Sequence, residues 1–330
     1  MFYFPDKYKF TENLKVMEDK ILGLHHITAI AGDPQRNHHF YTRILGLRMV
    51  KKTVNFDDPQ TYHLYYADET GTPGTLLTFF PWPGVKQGKT GAGMATEIGY
   101  AVPGGSLDFW KRRFEEHGVS HHNIDERFGE KFLLFRDPDG LWLSLIETKH
   151  QDSRSGWETS EVTADVAIKG FHSIILTLNS IRETAEVLTA VFGYRQVEQE
   201  GNIRRYKTDH VENAAIVDLL ESPGAPRGVN AGGTNHHVAF RVKDEQVLMA
   251  FREKVVAKGL HITEKIDRKY FFSLYFREPG GVLFEIATDN PGMAIDEKVE
   301  DLGTSLKLPG QYEPMRERIE AVLPELQVEV

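Results

Sequence analysis

The sequence predicts an α+β fold made of four copies of one unit, in which a strand leads to a helix and then to about three strands, and three observations carry that reading. Two motifs return at a near-constant shift: Phe135-Arg-Asp-Pro-Asp-Gly140 as Phe276-Arg-Glu-Pro-Gly-Gly281, and Gly23-Leu-His-His-Ile27 as Gly170-Phe-His-Ser-Ile174. The second echo holds its shift into Ile44-Leu-Gly-Leu-Arg48 and Val191-Phe-Gly-Tyr-Arg195, so the halves of the chain are related. Each half divides again, because an apolar strand followed by an amphipathic helix occurs four times. A glycine then follows each helix, at Gly46, Gly118, Gly193 and Gly259, where a left-handed C-cap is expected.

The opening strands are read at 24–30, 97–102, 171–178 and 237–242. Asp33-Pro34 starts the first helix, an N-cap residue followed by proline at the first helical position. Ser106 starts the second, with Leu107, Trp110 and Phe114 at helical spacing. Ser180 starts the third and Glu183 would complete a capping box. Asp244 starts the fourth, with Val247, Phe251 and Val255 on one face. Shorter β-rich segments close each unit, such as 63–67 with 75–80 and 270–276 with 282–287. The expected organisation is two units within 1–150 (about 21–83 and 95–150), a polar linker at 151–166, two units within 167–290 (about 167–224 and 234–290), and an extension at 291–330 ending in a short helix near 313–322.

Composition limits what such a chain can do. Apolar residues make up 40% and charged residues 26% of 330 positions, as in an ordinary globular chain. A formal charge of −9 speaks against broad contact with nucleic acid or anionic lipid, and no apolar run is long enough to span a bilayer. Residues 1–20 lack the pattern of a signal peptide, and a cytoplasmic location is the expectation. With no cysteine, any metal must be held by nitrogen and oxygen donors. Homo-oligomerisation is left open.

A βαβββ unit repeated four times resembles the vicinal oxygen chelate superfamily, which includes glyoxalases and extradiol dioxygenases. Gly23-Leu-His-His-Ile-Thr28 and His237-Val-Ala-Phe240 look like its opening strands, and Gly280-Gly-Val-Leu-Phe-Glu285 like its glutamate-bearing closing strand. Tyr62-His-Leu-Tyr-Tyr-Ala-Asp68 with Gly71-Thr-Pro-Gly-Thr75 is similar to the hydroquinone-cleaving members, as are Arg204-Arg-Tyr206, Asp267-Arg268 and Tyr275. The resemblance implies two cup-shaped mixed sheets, the glyoxalase/bleomycin-resistance/dihydroxybiphenyl dioxygenase fold. It also implies two metal-facing positions per unit, one on the first strand and one on the last. By register these are His26 and Thr78, Glu97 and Ser144, Ser173 and Asp218, and His237 and Glu285.

Imidazoles stand at these positions only in units one and four, so those units are expected to share a metal cup with His26, His237 and Glu285 as ligands. A glutamate in the apolar strand 282–287 is costly unless it meets a cation. Units two and three form the other cup, where Glu97 and Asp218 could hold a stray cation. The pairs His38-His39 and His121-His122 do not recur in register and are assigned to the surface.

Two histidines and one carboxylate, with threonine in the fourth position, suit a non-haem Fe(II) dioxygenase acting with O2 on a hydroquinone or catechol; Mn(II) or Zn(II) are substitutes. The alternatives are a glyoxalase-like isomerase or lyase, which would need a fourth ligand, and a protein that only binds small aromatics. The resemblance places His25, Thr28, Arg268 and Tyr275 near the substrate. Strand alternation alone points His25 and His236 to the opposite face, and His236 is read as structural.

Overall fold

Residues 19–328 are described in the computed structural model; the stretch 1–20 considered above for targeting signals lies almost wholly outside them. The first unit is β1 (Leu24–Ala31), α1 (Pro34–His39), β2 (Arg48–Asn55), β3 (Asp58–Ala67) and β4 (Leu76–Pro81). The second is β5 (Met94–Val102), α2 (Leu107–Glu116), β6 (Asp125–Arg127), β7 (Glu130–Arg136) and β8 (Trp142–Glu147). The third is β9 (Gly170–Leu178), α3 (Arg182–Glu186), β10 (Arg195–Glu200), β11 (Ile203–Lys207) and β12 (Ile216–Glu221). The fourth is β13 (Thr234–Val242), α4 (Glu245–Ala257), β14 (Ile266–Asp267), β15 (Phe271–Arg277) and β16 (Leu283–Pro291).

The strands form two eight-stranded mixed sheets, ordered β14-β15-β16-β13-β1-β4-β3-β2 and β10-β11-β12-β9-β5-β8-β7-β6. Units one and four therefore share one sheet through the antiparallel pair β1–β13, and units two and three share the other through β5–β9. One continuous core of aromatic and aliphatic side chains joins them. Phe40, just after α1, reaches Phe135 of the second unit, and Phe192, after α3, packs on Phe240 and Phe284 of the fourth. Fully buried anchors such as Trp110, Phe114 and Phe171 each contribute roughly 1.5–3 kcal/mol of transfer free energy.

The helix ends follow local chemistry only in part. Asp33 and Asp244 cap their helices, each accepting a backbone N–H from three residues on. All four glycines after the helices have positive φ, between 65° and 77°. Ser106 is an N-cap by position, but its hydroxyl bonds to Pro103 O, and Glu147 accepts the N–H groups of Gly105 and Leu107 instead. The Ser180 capping box does not form: the N-cap is Ile181, and Glu221 accepts its N–H. A tertiary carboxylate does the work that local sequence suggested for serine. α1 and α3 both continue as π-helix, at Phe40–Ile44 and Val187–Val191. His38, assigned to the surface above, is 4% exposed and stacks on Tyr66.

The expected C-terminal helix is a turn of 3-10 helix at Glu313–Met315 followed by α5 (Arg316–Glu320). The segment leading to it closes one end of the cup formed by units one and four. Met293 and Leu302 join Tyr65, Tyr270 and Phe271 in a separate apolar cluster. Beside it Lys51, wholly buried, donates to Asp296 at 2.7 Å and to Glu297, and lies over the Tyr270 ring. Gly303 packs so close that a Cβ there would lie 2.1 Å from Met49 O.

In the other cup arginine takes the place proposed above for a stray cation. Arg205 donates to both oxygens of Asp218 at 2.9 Å and to Glu130 at 2.7 Å, while Arg127 donates to Glu97 at 2.6 Å. His172 and Ser144 complete the set, on Glu130 and Glu97. These carboxylates are already neutralised by guanidinium groups that belong to the fold.

Removing one partner of a buried charge network leaves the others uncompensated, so Arg205→Ala is expected to cost about 3–5 kcal/mol in urea denaturation. Burial works to raise the Glu130 pKa, but His172 and Arg205 bring it down to about 2. Its contribution is complete above its ordinary 4.5 and is lost as pH falls towards 2. Glu130→Gln flattens that limb of the pH–stability curve relative to the native protein.

Candidate metal centre

Strand register brings the candidate ligands together. On β1 and β13, His26 pairs with Ala239 and Thr28 with His237, so the two histidines are diagonal neighbours on one face. Glu285 on β16 lies beside Ala239, and Tyr275 on β15 lies beside Glu285. In the other direction Thr78 on β4 lies beside Thr28, and Tyr65 on β3 beside Thr78. A pseudo-two-fold axis thus exchanges His26 with His237, Glu285 with Thr78, and Tyr275 with Tyr65.

The ladder between β1 and β13 is broken twice, once between Leu24 and His26 and once between Thr28 and Ala29. The extra residues are His25 on β1 and His236 on β13. A bulge of this kind re-aims side chains and ends the simple alternation along a strand. The rings of His25 and His236 therefore turn toward the ligand histidines, against the expectation from alternation. His25 Nδ1 lies 3.0 Å from His26 Nδ1, and His236 Nδ1 lies 2.8 Å from His237 Nδ1.

These contacts settle a tautomer. His25 Nε2 is 3.0 Å from Thr288 O, and a carbonyl only accepts, so His25 carries its proton on Nε2. Burial holds its pKa well below the usual imidazole range and keeps the ring neutral. His25 Nδ1 is then a bare acceptor and His26 donates from Nδ1, so a neutral His26 ring carries its lone pair on Nε2. That lone pair faces Glu285 Oε2 at 3.1 Å and His237 Nε2 at 3.3 Å, while His237 Nε2 lies 2.9 Å from the same oxygen.

All three residues are buried, and they are the cluster of possible metal-binding side chains among the described residues. Neither Glu285 oxygen receives a properly aligned hydrogen bond. Burial acts to raise the Glu285 pKa, but positive charge placed at His26 and His237 outweighs it and holds the carboxyl well below the carboxylate range. Burial also lowers the His237 pKa, against the pull of Glu285. Electron-rich atoms converging without protons between them are repulsive unless a cation sits among them. Three donors about 2.1 Å from one ion at right angles are about 3.0 Å apart, and at tetrahedral angles about 3.4 Å. The observed separations of 2.9, 3.1 and 3.3 Å lie close to this range, so the three donors are placed to share one ion.

A cavity of about 290 Å³ opens from this point, near the lower end of the range for small-molecule sites. Phe56, Phe80, Trp82 and Phe271 form apolar walls, and His63, Tyr65, Arg268 and Tyr275 carry its polar groups. Tyr275 packs edge-on to His237, and Arg268 Nε donates to its hydroxyl at 3.3 Å. His25 and Thr28 stand one layer behind: His25 is held between His26 and Thr288 O, and Thr28 is bonded to Thr78 at 2.8 Å. His236, read as structural, lines the cavity. His63 and Tyr65 were not singled out as site residues above. His63 Nε2 lies 2.9 Å from Thr78 Oγ1 and its Nδ1 lies 2.9 Å from Tyr65 OH, so both ring nitrogens are engaged away from the ligand trio. Tyr65 was available from the repeat, because it faces Thr78 as Tyr275 faces Glu285.

The sequence profile of the Glyoxalase/Bleomycin resistance protein/Dioxygenase superfamily matches residues 23–145 and 170–286. The chain belongs to this superfamily. It is 45% identical over 304 residues to the "Putative ring-cleaving dioxygenase MhqO" of Bacillus subtilis (strain 168), covering 92% of this chain and 96% of that protein. It is 36% identical over 314 residues to the chlorohydroquinone/hydroquinone 1,2-dioxygenase of Sphingobium indicum, covering 92% and 96%. The crystal structure of a "putative dioxygenase" from Bacillus subtilis superposes with a TM-score of 0.90 at 44% identity, covering 94% of this chain and 99% of that one. Glyoxalase I from Zea mays shares the fold, with a TM-score of 0.60 at 14% identity over 81% of this chain and 92% of that one. Among the described residues of this superfamily member, no helix is long and apolar enough to cross a membrane.

A cation that binds only the folded site raises stability by about 2.7 kcal/mol at a hundredfold excess over Kd. Thermal melts with and without a chelator are expected to show a metal-dependent increment in Tm, and His26→Ala or Glu285→Ala to abolish it.

Proposed function

We propose that this chain is a non-haem Fe(II)-dependent dioxygenase that opens the ring of a hydroquinone, or of a catechol as the neighbouring class. One observation carries this reading: two imidazoles and one carboxylate converge as a facial trio at the end of an aromatic-walled cavity, and the fourth position of the pseudo-two-fold is a threonine. Thr78 is bonded to Thr28 and His63, which withdraws it from the ligand set and leaves several positions for substrate and O2. A glyoxalase-type reading would place a fourth protein ligand there. The names of the relatives, one of them a chlorohydroquinone/hydroquinone 1,2-dioxygenase, support the same class of substrate.

His26, His237 and Glu285 would hold the iron, which when bound supplies the redox chemistry that joins both atoms of O2 to the ring. The remaining steps belong to side chains. Phe80, Trp82 and Phe271 hold the flat ring and exclude water. Arg268 and Tyr275 bring a cation and a hydroxyl donor to the wall where oxygen charge develops. Burial pushes the Tyr275 pKa up, so it stays protonated and can donate. Desolvation opposes the charge of Arg268, but Tyr275 and Asp57 outweigh it and keep the guanidinium positive. His25 fixes the His26 ring from behind and so acts as a positioning residue.

Protein reconstituted anaerobically with Fe(II) is expected to consume O2 when hydroquinones are added, with ring-opened product. Absence of uptake with any hydroquinone or catechol, in protein containing stoichiometric iron, would overturn the proposal. Tyr275→Phe is expected to lower kcat roughly 10²-fold, as loss of a transition-state donor does. Thr78→Glu restores a fourth ligand; it is expected to tighten metal binding while suppressing O2 uptake, by occupying a position the reaction needs.

A further inference from the structure

A second hollow, of about 610 Å³, lies outside the metal cavity and shares three lining residues with it, Phe56, Asp57 and Arg268. Two turns meet at this boundary: the β2–β3 turn carries Phe56 and Asp57, and the β14–β15 turn carries Arg268. What joins them is one ion pair, Arg268 Nη2 to Asp57 Oδ2 at 3.1 Å. The Arg268 side chain is 17% exposed and that of Asp57 is 74% exposed, so the pair spans from the cavity wall to open solvent. Its solvent-facing half makes it cheap to open, while Arg268 keeps its bond to Tyr275.

The outer hollow is completed by the C-terminal extension, a segment the proposed reaction does not use. Ile295 and Pro309 line it together with Phe56 and Phe272. The extension is tied to the turns that make the boundary: Tyr312 OH donates to Phe56 O at 2.7 Å, and Lys269 Nζ to Leu308 O at 2.9 Å. Both cations on the wall are paired, Arg268 with Asp57 and Lys269 with Asp296. With both cations paired, the hollow offers a ligand the apolar side chains of Phe56, Phe272, Ile295 and Pro309 beside the carboxylate of Asp267 and the amide of Gln311, and Ile295 is 54% exposed.

We propose that the outer hollow is a substituent site, and that the Asp57–Arg268 pair is the gate between it and the metal cavity. It takes the alkyl or other uncharged apolar substituent of a hydroquinone whose ring occupies the inner cavity. Anionic substituents are disfavoured, since no unpaired cation meets them there among the described residues. This assignment rests on the ring-cleavage reading for its choice of substrate ring, but it is tested by binding alone.

The test is anaerobic titration of the Fe(II)-loaded protein with methyl-, butyl- and hexylhydroquinone, followed by quenching of tryptophan fluorescence, since Trp82 lines the inner cavity. Burial of added methylenes predicts at least roughly tenfold tighter binding from methyl to hexyl. Ile295→Asp and Phe272→Asp are expected to remove most of that gain, and Asp57→Asn to speed association of the hexyl compound. Folding of each variant is checked by its thermal melt and metal content. Affinity that is flat or falls with chain length, or a gain that survives both aspartate variants, would overturn the substituent site. O2 is then admitted: a chain-length gain without ring opening sinks the ring-cleavage reading and leaves this one standing, whereas ring opening without the gain does the reverse.

Discussion

A carboxylate buried inside a curved sheet must meet positive charge, and both cups of this protein are organised around that requirement. In the cup of units two and three the charge is covalent to the fold: Arg205 spans Asp218 and Glu130, and Arg127 reaches Glu97. In the cup of units one and four, Glu285 faces two imidazole nitrogens, and the tautomer imposed by His25 leaves at least one of them a lone pair. The same register position thus carries a guanidinium-neutralised acid on one side of the molecule and an acid facing two imidazoles on the other.

The pseudo-two-fold of the metal cup explains how the site can be both repeated and asymmetric. His26 and His237 obey it, and so do Tyr65 and Tyr275. Thr78 breaks it opposite Glu285. That single departure leaves three converging donors where the symmetry would give four, and His63 and Thr28 hold the threonine in its place. The two bulges at His25 and His236 obey the symmetry as well, and the other cup repeats them at Thr96 and His172. They belong to the unit itself, and in the cup of units one and four they press a second imidazole against His26 and His237.

Much of this was legible in the chain, because a duplicated unit writes the same constraint several times. The repeats of Gly23–Ile27 and Phe135–Gly140, the C-cap glycines and the Asp33 and Asp244 caps are local patterns whose chemistry needs no distant partner. The less successful readings were those where a distant group intervened. The Ser180 capping box gave way to Glu221, His38 was drawn into the core by Tyr66, and His25 and His236 were turned by bulges that alternation cannot anticipate. His63 had no counterpart in the repeat register to draw attention to it.

By itself, the sequence determined that the chain repeats, that imidazoles stand at the metal-facing register only in the first and fourth units, and that no thiolate could serve as ligand. Periodicity and residue type are sufficient for those statements, since each depends only on spacing along one strand or helix. The tertiary structure decided which strands are neighbours, which imidazole nitrogen carries a proton, and how the C-terminal extension closes one end of the cup. Those outcomes depend on contacts between residues far apart in the chain, such as His25 with Thr288 and Lys51 with Asp296, and such contacts exist only once the sheets have curled and packed.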